Sequence, residues 1–345
     1  MEVLFPPTGG QWFNDVQTYL VNNSAAPVTG ANFSVQWADI DQGPGTSPQY
    51  VWTSVDSEIQ PWQAAGKRVN LILWAVSDAA TNTATPQYVW NNLAPLSETT
   101  TCNGEEIPDY FDAANFQTPY LAFIQAALQK YGSDSTIGYM RIGLGHGGET
   151  YPAPGYGSDP TCTTAFNSWG YTDTTWTNYL NSMLGQEASL NSSNKQLMVG
   201  IVGDGPGGTG GQNTVADAVA ATAVAERPFP IGFGSQGLQS GDISDYPNCT
   251  ADWCNLFSQY TGQVPLELQT LGPSCPAGVG ECPSDVNENA TGSLVPLLPF
   301  AASNKVTILE LYYQDWLIAY DPNYPGNSTY GTAYATAIGN AAAGK

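Results

Sequence analysis

Residues 119–144 read PYLAFIQAALQKYGSDSTIGYMRIGL, and this stretch contains one complete helix-then-strand unit. In its first half, Leu121, Ile124 and Leu128 recur at helical spacing and share one face. The second half, Ile137–Leu144, is a short and almost continuously apolar run, as expected of a strand that is buried on both faces. The stretch therefore predicts an amphipathic helix that leads into a strand of a parallel sheet.

The same unit recurs along the chain. Short apolar runs predict eight strands: Val3–Phe5, Ala31–Trp37, Arg68–Ala75, Ile137–Leu144, Gln196–Val202, Pro230–Phe233, Val264–Leu268 and Val306–Tyr312. Helix-like segments precede three of them: Val55–Ala65, Pro119–Tyr131 and Val215–Glu226. Eight strands that alternate with helices indicate the α/β class and a (β/α)₈ TIM barrel, with residues 1–345 forming a single domain.

A doubly wound open sheet is the alternative architecture. It is disfavoured because no G-x-G-x-x-G turn follows the first strand. A second glycine-rich stretch, GDGPGGTGG at residues 203–211, ends far from any Lys-Ser/Thr pair and therefore predicts a loop rather than a phosphate-binding turn.

The charge balance excludes several classes of partner. Eight Lys+Arg face thirty Asp+Glu, which gives a formal net charge of −22. Nucleic acid and anionic membranes are poor partners because the chain has no basic surface with which to displace counterions. No run of about 18 apolar residues is present to span a bilayer. A neutral or cationic ligand fits the composition better, and no cofactor or bound metal is expected.

Six cysteines predict disulfide-clipped loops and a secreted protein. Cys249 and Cys254 are close in sequence, as are Cys275 and Cys282, and each pair lies in a Gly/Pro/Asn-rich stretch. The most economical pairing makes these two local clips and leaves Cys102 to pair with Cys162, although six cysteines allow about fifteen connectivities. A zinc site is the alternative, disfavoured because no C-x-x-C pair is present.

In a barrel of this type, functional residues lie where the strands end at their carboxyl termini. The predicted strand ends are rich in acids, amides and aromatic residues. They supply these candidate substrate-binding residues: Trp37, Asp39, Trp74, Arg141, His146, Tyr151, Gln236, Gln269, Tyr312, Asp315 and Trp316. This mixture suits a neutral polyhydroxylated ligand, because aromatic rings stack on sugar C–H surfaces while carboxylates and amides bind hydroxyl groups.

Glycoside hydrolysis needs two carboxyl groups that flank the scissile bond. Glu149 is the best proton donor, because a glycine turn brings it off a strand end beside His146 and Tyr151. Glu267 and Glu310 both lie within otherwise apolar strands, where an unpaired charge would cost several kcal/mol. Neither glutamate is therefore expected on the solvent-exposed surface.

The stretch IGYMRIGLGHGGETYP resembles the fourth-strand region of retaining barrel glycosidases related to the family 42 β-galactosidases, and GLG-x-x-GE is similar to the catalytic glutamate stretch of β-amylases. The resemblance is clearest over residues 30–150, where Tyr50 and Trp52 lie in the region in which a P-G-x-Y-x-W element is common in these enzymes. It implies that Glu149 is the acid/base and that Glu267 is the nucleophile, with Glu310 as the competing nucleophile. One departure is Gly148, since many members have asparagine at this position.

Each of these side chains also has a structural interpretation. Glu149 fits a loop carboxylate, and Glu267 fits an ion pair with Arg141 inside the barrel. His146 is expected to hydrogen-bond a substrate or a carboxylate rather than a metal. The tryptophans at the strand ends fit either a sugar-stacking surface or the core.

The sequence thus predicts a secreted, retaining glycoside hydrolase that cleaves β-glycosidic bonds of a glucan- or galactan-type saccharide with two glutamates. The alternatives are a non-catalytic carbohydrate-binding barrel and a metal-assisted hydrolase that uses Asp39, Asp41, Asp204 and His146. The sugar, the linkage and the oligomeric state are left open by the sequence.

Overall fold

A computed structural model of the chain describes residues 1–77, 83–93, 101–102, 104–154, 156, 159–201, 214–244, 252–274 and 291–344. Among these residues, no helix combines the length and the apolar character that crossing a membrane requires.

Eight strands hydrogen-bond in the order β1-β10-β9-β8-β7-β6-β3-β2 and close into a barrel. They are Glu2–Leu4 (β1), Gly30–Gln36 (β2), Arg68–Trp74 (β3), Ile137–Ile142 (β6), Gln196–Gly200 (β7), Gly232–Leu238 (β8), Leu266–Thr270 (β9) and Ile308–Tyr312 (β10). A separate antiparallel hairpin is formed by Thr101–Cys102 (β4) and Glu105–Glu106 (β5). The predicted TIM barrel is confirmed, whereas the hairpin was not predicted.

Helices separate the barrel strands. They are Gly10–Val16 (α1), Trp37–Ile40 (α2), Thr53–Ala64 (α3), Gln87–Trp90 (α4), Thr118–Tyr131 (α5), Pro160–Ser168 (α6), Asp173–Leu190 (α7), Thr214–Ala225 (α8), Ser240–Ser244 (α9), Asp252–Tyr260 (α10), Leu294–Ser303 (α11), Tyr313–Tyr320 (α12) and Asn327–Ala342 (α13). The three predicted helices correspond to α3, α5 and α8, each within two residues of its expected bounds.

Strand β8 differs most from its predicted bounds. The apolar run Pro230–Phe233 covers only its start, because the strand continues through Gly234, Ser235 and Gln236 to Leu238. Backbone pairing within a barrel does not require apolar side chains, so a strand with polar residues gives no continuous apolar signal. Gln236 therefore lies within a strand rather than after one.

Contacts divide the chain into two compact units. The first contains Met1–Phe33, Asp56–Asn70 and Gly234–Lys345, and the second contains Ser34–Val55 and Leu71–Phe233. The organisation of residues 1–345 as one domain remains a prediction.

The second unit has a core of aromatic rings around Trp37. This tryptophan is completely buried and stacks with Phe123, while Phe116 approaches it edge-on. The hydroxyl of Tyr120 on α5 donates to the carbonyl oxygens of Leu73 at 3.1 Å and Gly143 at 2.7 Å. Helix α5 is thereby joined to the carboxyl ends of β3 and β6.

The first unit contains a buried polar cluster, formed by Asp315 and Ser274, beside Trp316. The ring of Trp316 stacks on Tyr320. The carboxylate of Asp315 accepts hydrogen bonds from the Ser274 backbone N–H at 2.9 Å and from its hydroxyl at 2.6 Å. Burial raises the pKa of Asp315 to about 7, although the Ser274 hydrogen bonds oppose that shift. Asp315 therefore fixes the segment that follows β9.

Glu187 on α7 is a buried carboxyl group. Its side chain is 1% exposed, and neither of its oxygens has a hydrogen-bond partner within the described part of the chain. Burial raises the pKa of Glu187 well above its usual range, because an ionised carboxylate would lose its hydration. The folded protein therefore holds Glu187 protonated where the unfolded chain would release the proton.

The unfolded state binds fewer protons at residue 187, so the free energy of unfolding should fall as pH rises above the ordinary glutamate pKa. Glu187→Gln should make the dependence of the free energy of unfolding on pH less steep by up to about 1.4 kcal/mol per pH unit, since glutamine does not titrate. Urea unfolding at a series of pH values measures the slope. Glu226→Gln, which removes a partly exposed carboxyl group just after α8, is the matched control. An unchanged slope in Glu187→Gln would contradict the assignment.

Candidate active site

The turn after β6 presents Glu149. A single 3₁₀ turn covers His146–Gly148, and its carbonyl at His146 accepts the Glu149 N–H at 3.1 Å. The His146 N–H donates to the Tyr151 carbonyl at 2.8 Å, and Thr150 N–H binds Gly200 on β7 at 3.0 Å. Glu149 is partly exposed at this turn, as a residue that meets a ligand must be.

Gly148 is required by the neighbouring Trp74. Its φ of +75° lies in the region that favours glycine, and a Cβ at this position would lie 2.2 Å from the Trp74 Nε1. The indole ring thus occupies the space into which any side chain at residue 148 would project. This contact gives a physical reason for a glycine at residue 148. Trp74 is itself partly exposed beside the Glu149 turn.

The chain's one histidine contacts Glu105. The His146 Nε2 and the Glu105 Oε2 are 2.5 Å apart, and the two side chains are 12% and 18% exposed. Hydrogen bonding of His146 to a carboxylate agrees with the sequence interpretation, but Glu105 itself was missed. A signal for it existed, because Glu105 follows Cys102 by three residues and a Cys102–Cys162 disulfide brings this segment toward the chain after Glu149.

That disulfide is confirmed, with a Cα–Cα distance of 4.7 Å. Cys254 is also disulfide-bonded. Cys249, Cys275 and Cys282 lie outside the described residues, so the two local clips remain predictions.

Strands β1, β9 and β10 carry the buried acids of the first unit. Glu267 and Glu310 are 0% exposed, and Gln269 is 5% exposed. The strand register pairs Glu310 with Gln269 on one side and with Glu2 on the other. Directly paired residues of parallel strands share a face of the sheet. Glu2, Glu310 and Gln269 therefore lie on one face, and alternation along β9 adds Glu267.

Glu2 is a second acid that sequence reasoning missed. Its Oε2 accepts hydrogen bonds from the side-chain amides of Asn32 at 3.1 Å and Asn70 at 2.8 Å. Burial raises the pKa of Glu2, the negative charge of Glu310 raises it further, and the two amides oppose the shift. In the sequence the only signal was the alternation of Glu2 with apolar neighbours in a three-residue strand.

Glu267 packs against a glycine of the adjacent strand β8. A Cβ on Gly234 would lie 2.7 Å from the Glu267 Cβ and 3.0 Å from its Cδ. Gly234 therefore provides the room that the Glu267 side chain occupies. Arg141 on β6, the expected partner for Glu267 in the structural interpretation, is 1% exposed and belongs to the second unit.

The predicted site residues thus fall into two groups. Trp74, His146, Glu149 and Tyr151 come together in the second unit, and burial raises the pKa of the Tyr151 hydroxyl. Glu267, Gln269 and Glu310 come together in the first unit, which also holds Gln236 and the partly exposed Tyr312 at the end of β10. The separation of the Glu149 and Glu267 carboxyl groups remains a prediction.

Three substrate-binding predictions are wrong. Trp37 and Trp316 are 0% exposed, so neither ring has a face on which a sugar can stack, and both belong to the core. Asp315 is also 0% exposed, and its carboxylate binds Ser274 instead of a ligand. The error arose because a tryptophan beside acidic residues at a strand end looks the same in sequence whether its ring turns inward or outward.

Asp41, a ligand in the metal-assisted alternative, has four hydrogen-bond donors. They are Trp37 Nε1 at 3.0 Å, Gly43 N–H at 2.9 Å, Gln49 Nε2 at 3.1 Å and the Tyr88 hydroxyl at 2.7 Å. Both of its oxygens are thus used to order the segment after β2. Asp39 is exposed, and Asp204 lies outside the described residues. Within the described ranges, no group of three or more His, Cys, Asp and Glu side chains is arranged to hold a metal ion.

No family model and no curated protein matches the chain. Solved structures with a similar fold include the catalytic domain of a β-amylase from Paenibacillus polymyxa, with a TM-score of 0.63 and 12% sequence identity over 99% of this chain and 98% of that chain. They also include a β-galactosidase from the psychrophilic Marinomonas ef1, with a TM-score of 0.57 and 11% identity over 99% of this chain and 58% of that chain. The resemblance inferred from the sequence is therefore confirmed at the level of the fold.

The contact between Gly148 and Trp74 generates a test of the turn. Gly148→Ala should destabilise the protein by more than Gly170→Ala, because both positions have positive φ but only residue 148 meets a neighbour. The control substitution, Gly170→Ala, should lower the free energy of unfolding by about 1–2 kcal/mol because of the left-handed backbone alone. Chemical denaturation measures both values. The double variant Gly148→Ala/Trp74→Ala should lose less stability than the two single variants added together. Equal costs for Gly148→Ala and Gly170→Ala would contradict the contact.

Proposed function

We propose that this protein is a secreted, retaining glycoside hydrolase that cleaves β-glycosidic bonds in a glucan- or galactan-type saccharide. The observation that carries the proposal is the presentation of Glu149, partly exposed on a glycine turn beside the partly exposed Trp74. The turn lies at the carboxyl end of β6, and barrel enzymes place their reactive groups at this end. The fold likeness to a β-amylase and a β-galactosidase supports the same class.

Glu149 is the proposed general acid and base. In the first step it donates a proton to the leaving glycosidic oxygen, and in the second it removes a proton from the attacking water. Its backbone N–H is held by His146, so the side chain starts from an ordered turn rather than from a mobile loop. Trp74 offers an apolar surface on which a sugar ring can stack.

Glu267 is the proposed nucleophile, with Glu310 as the competing residue. In this role its carboxylate attacks the anomeric carbon as the leaving oxygen departs, and water later releases the sugar from the ester. The room that the Glu267 side chain occupies is kept by Gly234 on the adjacent strand, and this fixed position on β9 supports the role. Gln269 and Glu310 lie on the same face of the sheet as Glu267 by strand register.

The charge of the chain supports an uncharged ligand. A net charge of −22 repels polyanions such as nucleic acid and anionic membranes. The disulfide between Cys102 and Cys162 supports folding in an oxidising compartment, which agrees with secretion.

Glu149→Gln tests the acid/base role. The variant should lose about 10²–10⁴-fold in kcat on a natural saccharide, because glutamine cannot donate the proton. An aryl glycoside with a highly acidic leaving phenol should be cleaved at a nearly normal rate in the first step, since that oxygen needs no protonation. Reducing-sugar release and phenol release measure the two reactions. Glu106→Gln, an exposed glutamate, is the control.

Full activity of Glu149→Gln on the natural saccharide would remove Glu149 from the mechanism. Saccharide binding by the wild-type protein without cleavage of any member of a panel of polysaccharides and aryl glycosides would favour the non-catalytic binding barrel.

Azide rescue distinguishes the two candidate nucleophiles. Glu267→Ala should abolish turnover, and azide should enter the vacated space, attack the anomeric carbon and form a glycosyl azide of inverted configuration. The same treatment of Glu310→Ala should give no glycosyl azide. Product analysis by mass spectrometry and proton NMR separates these outcomes, and rescue confined to Glu310→Ala would transfer the role to Glu310.

A further inference from the structure

The hairpin of β4 and β5 touches the Glu149 segment at two points. Cys102 and Glu105 are directly paired across the hairpin. Cys102 forms the disulfide with Cys162 in the first turn of α6, and Glu105 contacts the His146 ring. One cross-strand pair therefore holds the chain on both sides of Glu149, at residue 146 and at residue 162.

His146 is connected to the Glu149 turn through backbone hydrogen bonds. Its carbonyl accepts the Glu149 N–H at 3.1 Å, and its own N–H binds the Tyr151 carbonyl at 2.8 Å. The backbone of residue 146 thus contacts the residue that bears the carboxyl group and the residue two positions after it. The imidazole that contacts Glu105 and the two backbone contacts of the Glu149 turn therefore belong to one residue.

The contact also specifies which ring nitrogen carries a proton. A carboxylate accepts hydrogen bonds, so the Nε2 of His146 must be the donor to Glu105. The imidazole is therefore held in one orientation with Nε2 toward Glu105, in the way that a carboxylate orients an imidazole in many catalytic sites. No other histidine competes for Glu105, because the chain has only one.

We propose that Glu105 is a positioning residue, which acts through His146 to hold the Glu149 carboxyl group at the angle that proton donation requires. The Cys102–Cys162 disulfide anchors the hairpin that carries Glu105. Glu105 does not touch the substrate in this proposal, and its effect on the reaction passes entirely through the turn. The proposal rests on the proposed glycosidase function of Glu149.

Glu105→Gln should weaken the hydrogen bond to His146, because a neutral amide replaces the charge-assisted acceptor. On a saccharide with a poor leaving group, kcat should fall about 10–100-fold, the effect expected for a misplacement of about 1 Å. On an aryl glycoside with an acidic leaving phenol, the rate of the first step, measured as the initial burst of phenol, should fall less than about 3-fold, since that step needs no proton from Glu149. Glu106→Gln, the next residue on the same strand but exposed, should change neither rate.

A structural defect would lower both rates together, so the dependence on the leaving group is the informative readout. Equal losses on the two substrates, or no loss on either, would overturn the positioning role. Glu105→Asp, which keeps the charge on a shorter side chain, should recover part of the activity on the poor leaving group.

Proton NMR tests the contact without reference to catalysis. The single imidazole should give a downfield Nε2–H resonance in the wild type and in Glu106→Gln, and this resonance should be lost in Glu105→Gln. Its absence from the wild type would overturn the Glu105 proposal whatever the enzyme does. If the resonance behaves as expected but no glycoside is cleaved, the proposed function fails while the hold on the turn stands.

Discussion

The close approach of the β3 and β6 ends is the contact on which the rest of the site depends. Gly143 N–H donates to the Leu73 carbonyl at 2.8 Å, and the Tyr120 hydroxyl binds the carbonyls of both residues. Trp74 then fills the space beside Gly148. Gly143 and Gly148 have no room for side chains, and the chain turns between them after β6 before it presents Glu149. A glutamate on a longer, looser loop would lose much of its orientation before it met a substrate.

Buried carboxyl groups are the second recurring feature. Burial is the largest cause of the raised pKa of Glu2, Glu187 and Asp315, and that of Asp315 reaches about 7. Each group keeps its proton in the folded state to a higher pH than in the unfolded chain. The stability associated with each is fully present in acid and is lost as pH rises through its folded pKa, which for Asp315 lies near neutrality. With 30 acidic and eight basic residues, the chain also loses much of its self-repulsion when carboxylates protonate. Both effects favour the folded state in mildly acidic solution.

The sequence predicted the barrel because short apolar runs are typical of buried parallel strands. It predicted the Cys102–Cys162 disulfide because the other four cysteines were assigned to two pairings between neighbours in sequence. It did not predict the polar half of β8, since pairing there depends on the backbone. Glu105 and Glu2 were missed because their partners, His146 and Glu310, are distant in sequence. Trp74 and Trp37 show the same limit: both lie at the predicted end of a strand beside acidic residues, but only Trp74 is partly exposed in the structure. Ring orientation depends on tertiary packing, which local sequence does not record.

We propose a double displacement in which Glu149, on the turn after β6, donates the proton and a glutamate of β9 or β10 attacks the sugar. Proton NMR of the first product released from an oligosaccharide substrate, recorded before mutarotation, tests this mechanism. A β-linked substrate should release a product with a β-configured anomeric centre, because two successive inversions restore the starting configuration. A product that first appears as the α-anomer would exclude the double displacement, since a single displacement by water needs no glycosyl-enzyme ester.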